Sequence, residues 1–244
     1  MIRHAVVLVV LAGCRIGFDA RTAPDGGPDA VADGSDARIP LAPRFVQTDS
    51  TMNPGAATIA LSFPADVVAG NLVLCAIDFV PATATLVSIT DDKGNTYTAA
   101  GPFDGNGGVR HYLAWTIAAI GGPTTVTAMT SAAPTTFYDL RLHEYADVAA
   151  GSPVHGAASA TGTTMAPDGA QSPPVTTTEP NELIFGFVTF FGPAGTAGTG
   201  FMSRSMFDAD LTEDMVAVTP GTYRALATSN GSSWTATVAA IRGR

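Results

Sequence analysis

The 244-residue chain predicts an all-β protein, an antiparallel two-sheet β-sandwich. Three observations carry that prediction. From Arg44 onward, short runs rich in Val, Ile, Thr, Phe and Tyr alternate with clusters of Gly, Pro, Asn and Asp. Such runs suit a pleated, half-buried surface, and such clusters suit turns. Several runs alternate apolar and polar residues, and long apolar stripes of helical period are absent.

The elements follow in order. Residues 58–63 place Ile59, Leu61 and Phe63 on one face. Residues 71–80 are apolar on both faces, as a central strand is. Residues 86–90 run into Asp91-Asp-Lys-Gly-Asn95, and 96–98 return, which predicts a hairpin with Gly94 at positive φ. Residues 109–120 put Leu113, Trp115 and Ile117 on one side, and 124–130 follow the turn Gly121-Gly-Pro123. Residues 136–145 set Tyr138, Leu140 and Leu142 against a polar face of Asp139, Arg141 and His143. A second central run covers 182–191. Strands at 202–206, 214–219, 222–228 and 233–241 complete the set, with Asn230-Gly231 as the last turn. No composition break divides 45–244, which predicts a single domain, and no internal repeat stands out.

Charge narrows the function classes. The chain carries 12 Lys+Arg against 21 Asp+Glu, a net charge of -9. With one lysine, Lys93, and 11 arginines, no basic patch can form, so nucleic acid is not an expected partner. Hydrophobic residues make up 46% of the chain, enough for a sizeable core.

The N-terminus reads as an export signal over residues 1–13. Arg3 precedes the apolar run Ala5-Val-Val-Leu-Val-Val-Leu11, which is too short to span a bilayer. Leu11-Ala12-Gly13-Cys14 resembles the bacterial lipobox. The resemblance implies cleavage before Cys14 and acylation of that cysteine, so the membrane is a partner through an N-terminal lipid. Arg15, where an aspartate would favour inner-membrane retention, points to an outer-membrane lipoprotein, periplasmic or surface-exposed. Residues 14–44 then form an Asp/Ala/Gly/Pro-rich tether that holds the domain about 30 Å from the membrane. With Cys14 committed to lipid, Cys75 has no disulfide partner, and its apolar surroundings predict a buried, inert thiol.

Several segments of 45–244 resemble a jelly-roll-type β-sandwich domain of secreted and lipid-anchored bacterial proteins, mostly uncharacterised. They are Ala69-Gly-Asn-Leu-Val-Leu74, Val87-Ser-Ile-Thr-Asp-Asp-Lys-Gly-Asn-Thr-Tyr97, Thr124-Thr-Val-Thr127, His143-Glu-Tyr-Ala-Asp-Val148, Asn181-Glu-Leu-Ile184 and Trp234-Thr-Ala-Thr-Val-Ala-Ala-Ile241. The resemblance implies the fold and brings no catalytic residues.

The chemistry-bearing residues are few. There is no G-x-S-x-G elbow and no phosphate-binding loop with a lysine. His143-Glu144 begins a zincin-like motif that ends in Asp147 rather than histidine, and only His111, His143 and His155 follow the signal. The chain therefore reads as a non-enzyme, a surface-interaction or structural module. Glu144 points toward the core by strand parity; it anchors a loop, or it acts as a general acid opposite Glu182 in a glycan-cleaving site. No cofactor is expected beyond a structural calcium. Asp208, Asp210, Glu213 and Asp214 form the candidate metal cluster, with Asp91, Asp92 and Asn95 a weaker one. Turn chemistry is the alternative for both. Trp115 and Trp234 face the core by alternation, whereas Tyr112 lies on the opposite face and is the candidate for stacking on a sugar. The expected partner is a glycan or an envelope protein.

Overall fold

The computed structural model describes residues 39–163, 169–229 and 233–244. The expected signal, Cys14 and most of the expected tether lie outside the described residues, as does Asn230-Gly231.

The protein is all-β, with antiparallel sheets throughout. Eight strands come first: β1 (Arg44–Met52), β2 (Thr58–Ser62), β3 (Leu72–Phe79), β4 (Leu86–Asp91), β5 (Thr98–Asp104), β6 (Arg110–Ile117), β7 (Thr125–Thr130) and β8 (Tyr138–Ala146). Ten follow: β9 (Val154–Gly162), β10 (Ala170–Gln171), β11 (Val175–Thr177), β12 (Glu182–Phe191), β13 (Thr196–Ala197), β14 (Met202–Phe207), β15 (Asp210–Ala217), β16 (Gly221–Tyr223), β17 (Leu226–Thr228) and β18 (Ser233–Ile241).

The expected sandwich is present, and it occurs twice. A five-stranded sheet has the order β1-β8-β3-β6-β5, and a three-stranded sheet β2-β7-β4 covers its outer face. The second five-stranded sheet has the order β9-β18-β12-β15-β14. Its outer face carries β10-β17-β13 and β11-β16. Replacing β1, β8, β3, β6 and β5 by β9, β18, β12, β15 and β14 converts one order into the other. Each half is jelly-roll-like: its first and last strands lie side by side, and most successive strands cross between its layers, with β5–β6 and β14–β15 as hairpins within one sheet.

The two five-stranded sheets pack face to face. Leu72, Leu74 and Leu113 of the first meet Leu183, Phe185, Phe187 and Ile241 of the second. Burying each such side chain stabilises by about 1.5–3 kcal/mol. Across this seam β3 lies over β12, β8 over β15 and β6 over β18. An approximate two-fold axis parallel to the strands therefore relates the halves.

The axis gives the molecule two unlike ends. Leu41 donates its N–H to the Arg244 carbonyl, Asn181 bonds the Pro40 carbonyl, and Pro43 is buried, so the last residues of the expected tether dock here. The described loops 53–57, 80–85, 105–109, 131–137, 192–195 and 208–209 gather at the other end.

One expected contact is corrected. Residues 86–98 do not form a hairpin: β4 pairs with β7 and β5 pairs with β6, so the turn crosses between sheets. Gly94 does take positive φ there, at 76°. Cys75 is buried on β3, and burial pushes its thiol far up.

Candidate functional site

The polar face of β8 does not meet water. Asp139, Arg141 and His143 point into the seam, and all are fully buried. Alternation put them opposite Leu140 and Leu142, and the second sandwich covers them.

Arg141 is the centre of this cluster. Its Nη1 donates to Asp78 Oδ1 at 2.6 Å, and its Nη2 to Asp139 Oδ2 and Asp210 Oδ2, each at 2.9 Å. The Phe207 carbonyl accepts a further bond at 3.1 Å. Thr189 lies 3.3 Å from Asp78 and 3.2 Å from Asp210. His111 bridges Thr189 at 2.8 Å and Thr237 at 3.0 Å. The cluster thus joins β3, β6 and β8 of one half to β12, β15 and β18 of the other.

Three carboxylates face one guanidinium away from water. Burial, then repulsion from Asp78, pushes Asp139 up to about 8 and Asp210 well above its ordinary value. The cluster therefore holds at least one proton at neutral pH. Burial also drives His111 down to about 4 and His143 to about 3, so both imidazoles are neutral. Asp78, Asp139 and Asp210 offer oxygens within 4.8 Å of one another, a spacing that would suit a cation. Arg141 already takes an oxygen from each, and calcium wants six to eight. The arrangement serves as a clasp across the seam.

The expected metal cluster is corrected. Asp208, Asp210, Glu213 and Asp214 do not converge: Asp208 precedes β15, alternation turns Glu213 to the opposite face, and Asp210 and Asp214 share a face but stand four residues apart along the strand. Asp208 is exposed in the turn between β14 and β15. Asp210 belongs to the clasp. Glu213 faces the outer layer, where it accepts the N–H groups of Gly198 and Leu226, and burial raises it to about 7. Asp214 accepts Arg204 at 2.7 and 2.8 Å and Tyr145 at 2.7 Å. In the weaker cluster, Asp91 accepts the N–H groups of Lys93 and Asn95, the Asn95 amide and the Tyr97 hydroxyl, so it organises its turn.

Tyr112 is corrected as well. It is 6% exposed and stacks on Phe79, with ring centroids 5.9 Å apart. Around Tyr112 both faces of β6 are covered, one by the three-stranded layer and one by the second sandwich. Trp234 is buried in the core of the second half. Trp115 is only half-buried, at the edge of the seam.

Glu144 and Glu182 act on loops. Glu144 Oε1 accepts the Val68 N–H and the Asn71 amide, and Oε2 accepts Gln47. Glu182 Oε1 accepts the N–H groups of Thr178 and Glu179, and Oε2 meets His155. Each carboxylate pins the loop that leads into the central strand of its own half. The strand pairings show why the two do not oppose each other: Glu144 lies beside Gln47 and Val73, Glu182 beside Ala217.

Fold and seam together define the class, an all-β protein of two fused jelly-roll-like sandwiches. No family model, curated protein or solved structure matches the chain.

Proposed function

We propose that the chain is a non-catalytic, lipid-anchored module of the outer membrane, holding a rigid interaction or structural domain on a tether. The observation that carries this reading is the division of the domain into two ends. The chain arrives at Pro40 and Leu41 beside Arg244, and the opposite end presents inter-strand loops of both sandwiches. Those described loops are mostly Ala, Gly, Pro, Thr and Ser. The groups that hydrolysis would draw on support the same reading. Glu144 and Glu182 hold loops, and His111, His143 and the three aspartates hold the seam. The test is mass spectrometry of membrane-extracted protein. A diacylglyceryl group on an N-terminal Cys14, lost in Cys14→Ser, is the expected result. An unmodified Cys14, or cleavage elsewhere, overturns the anchoring.

A further inference from the structure

The seam is symmetric in topology but not in filling, and the difference leaves a cleft. By strand register Asp214 and Trp115 are two-fold mates, as are Phe45 and Val154, and Met202 and Thr98. On the β1 side the space is filled. Phe45 packs edge-on against Tyr145 at 5.8 Å, and the Arg204 guanidinium lies 4.4 Å over Phe45 while bonded to Asp214. On the β9 side the shorter Val154 and Thr98 stand at the mates of Phe45 and Met202, and no arginine is among the described residues that line the space. A cleft of about 300 Å3 remains between β5, β6 and the start of β9.

We propose that this cleft binds a neutral sugar ring stacked on Trp115. Trp115 supplies an aromatic platform at the cleft wall, flanked by Ile117 and Val154. The exposed residues Thr96, Thr98 and Ser152 bring hydroxyls, each able to donate and accept. Thr98 is the cross-strand partner of Trp115, so a hydroxyl stands directly beside the indole. None of the lining residues is charged, which disfavours phosphates and uronates and suits a neutral polyol. The C–H face of a pyranose covers the indole while its hydroxyls meet the threonines, the usual division between an apolar wall and a few placed polar groups. The volume is at the small end for ligand sites and fits a ring held within a longer chain. The inference does not depend on the lipid anchor, and its readout is separate from lipidation.

The test is calorimetric titration of the full chain with cellohexaose, maltohexaose and chitotetraose, with polygalacturonate as the acidic control. At least one neutral oligosaccharide is expected to bind with a Kd between about 1 μM and 1 mM. Trp115→Ala should weaken that binding at least about tenfold. Because Trp115 also packs in the seam, Thr98→Arg is the second variant. It keeps the indole and fills the cleft as Arg204 fills its mate, so binding should vanish with the melting temperature unchanged. The proposal fails if no neutral sugar binds at about 10 mM. It fails equally if only polygalacturonate binds, or if binding survives Thr98→Arg.

Discussion

Thr237 stands in the second sandwich where Arg141 stands in the first, and each reaches across the seam to the position that two-fold symmetry dictates. Arg141 meets Asp210 at 2.9 Å, and Thr237 meets His111 at 3.0 Å. Asp210 and His111 are themselves mates, each beside the end of its half's central strand. One contact carries the charge of the Arg141 guanidinium and the other is neutral, because burial strips His111 of its charge.

The charged contact should dominate the stability of the seam. Arg141→Leu leaves three buried carboxylates without their cation, and removing one partner of a buried ion pair costs about 3–5 kcal/mol. Thr237→Val removes neutral hydrogen bonds and should cost about 1 kcal/mol. Urea unfolding of both variants is the measurement. Equal losses would mean that Arg141 does not carry the seam.

Stability should decline between pH 6.5 and 8. The folded pKa of Asp139, about 8, lies above its ordinary 3.8. The folded state therefore holds a proton that the unfolded chain releases, and the stability this confers is lost as pH rises toward 8. Asp210 acts in the same direction. His111 and His143 have lowered values, so their stability is present above 6.5 and lost as pH falls. Above 6.5 the carboxylates act largely alone, Glu213, raised to about 7, adding to the decline in the same direction. Asp139→Asn should make the decline shallower, as read from unfolding free energies at both ends of the window. An unchanged slope would remove Asp139 from the account.

Glu144→Gln should lower stability by about 1–3 kcal/mol without changing the fold. The new amide NH2 replaces an acceptor and turns donors toward donors, since Glu144 accepts from Val68, Asn71 and Gln47. Thermal unfolding measures the loss. Polysaccharide turnover by the wild type that disappears in Glu144→Gln at an unchanged melting temperature would instead make Glu144 a catalytic acid.

The halves should not stand alone. Residues 39–150 expressed by themselves would expose Leu72, Leu74, Leu113 and Tyr145, a face the second sandwich covers. That fragment should self-associate or aggregate, and co-expression with 151–244 should give a one-to-one complex. Light scattering decides, and a monodisperse monomeric fragment would contradict a shared core.

Much of the fold was legible because its strands alternate or are uniformly apolar. The runs at 58–63, 71–80 and 182–191 match β2, β3 and β12 closely. β9 was not legible. Its sequence, VHGAASATG, is almost all small, since it lies against β18, where a Cβ on Gly162 would fall 2.4 Å from the Trp234 ring. Small residues carry no apolar alternation. The clasp was half-visible: Asp139, Arg141 and His143 share a face, but a polar face reads as solvent-facing. Nothing local tells that Asp78 and Asp210, 63 and 69 residues away from Arg141, would meet it. The repeat is hidden for a related reason. Two-fold mates such as Arg141 and Thr237, or Asp214 and Trp115, have unlike chemistry, so topology repeats where sequence does not.

The placement of Pro40 and Leu41 sets how the domain answers a pull. A load between Pro40 and the far loops runs along the strands, while the interstrand hydrogen bonds of an antiparallel sheet lie across them. The first strand to feel it, β1, is bonded to β8 from Arg44 to Met52, and Leu41 is clamped to Arg244. Such a load shears the whole ladder together and cannot peel it bond by bond. The domain should behave as a stiff block, yielding in one step at high force.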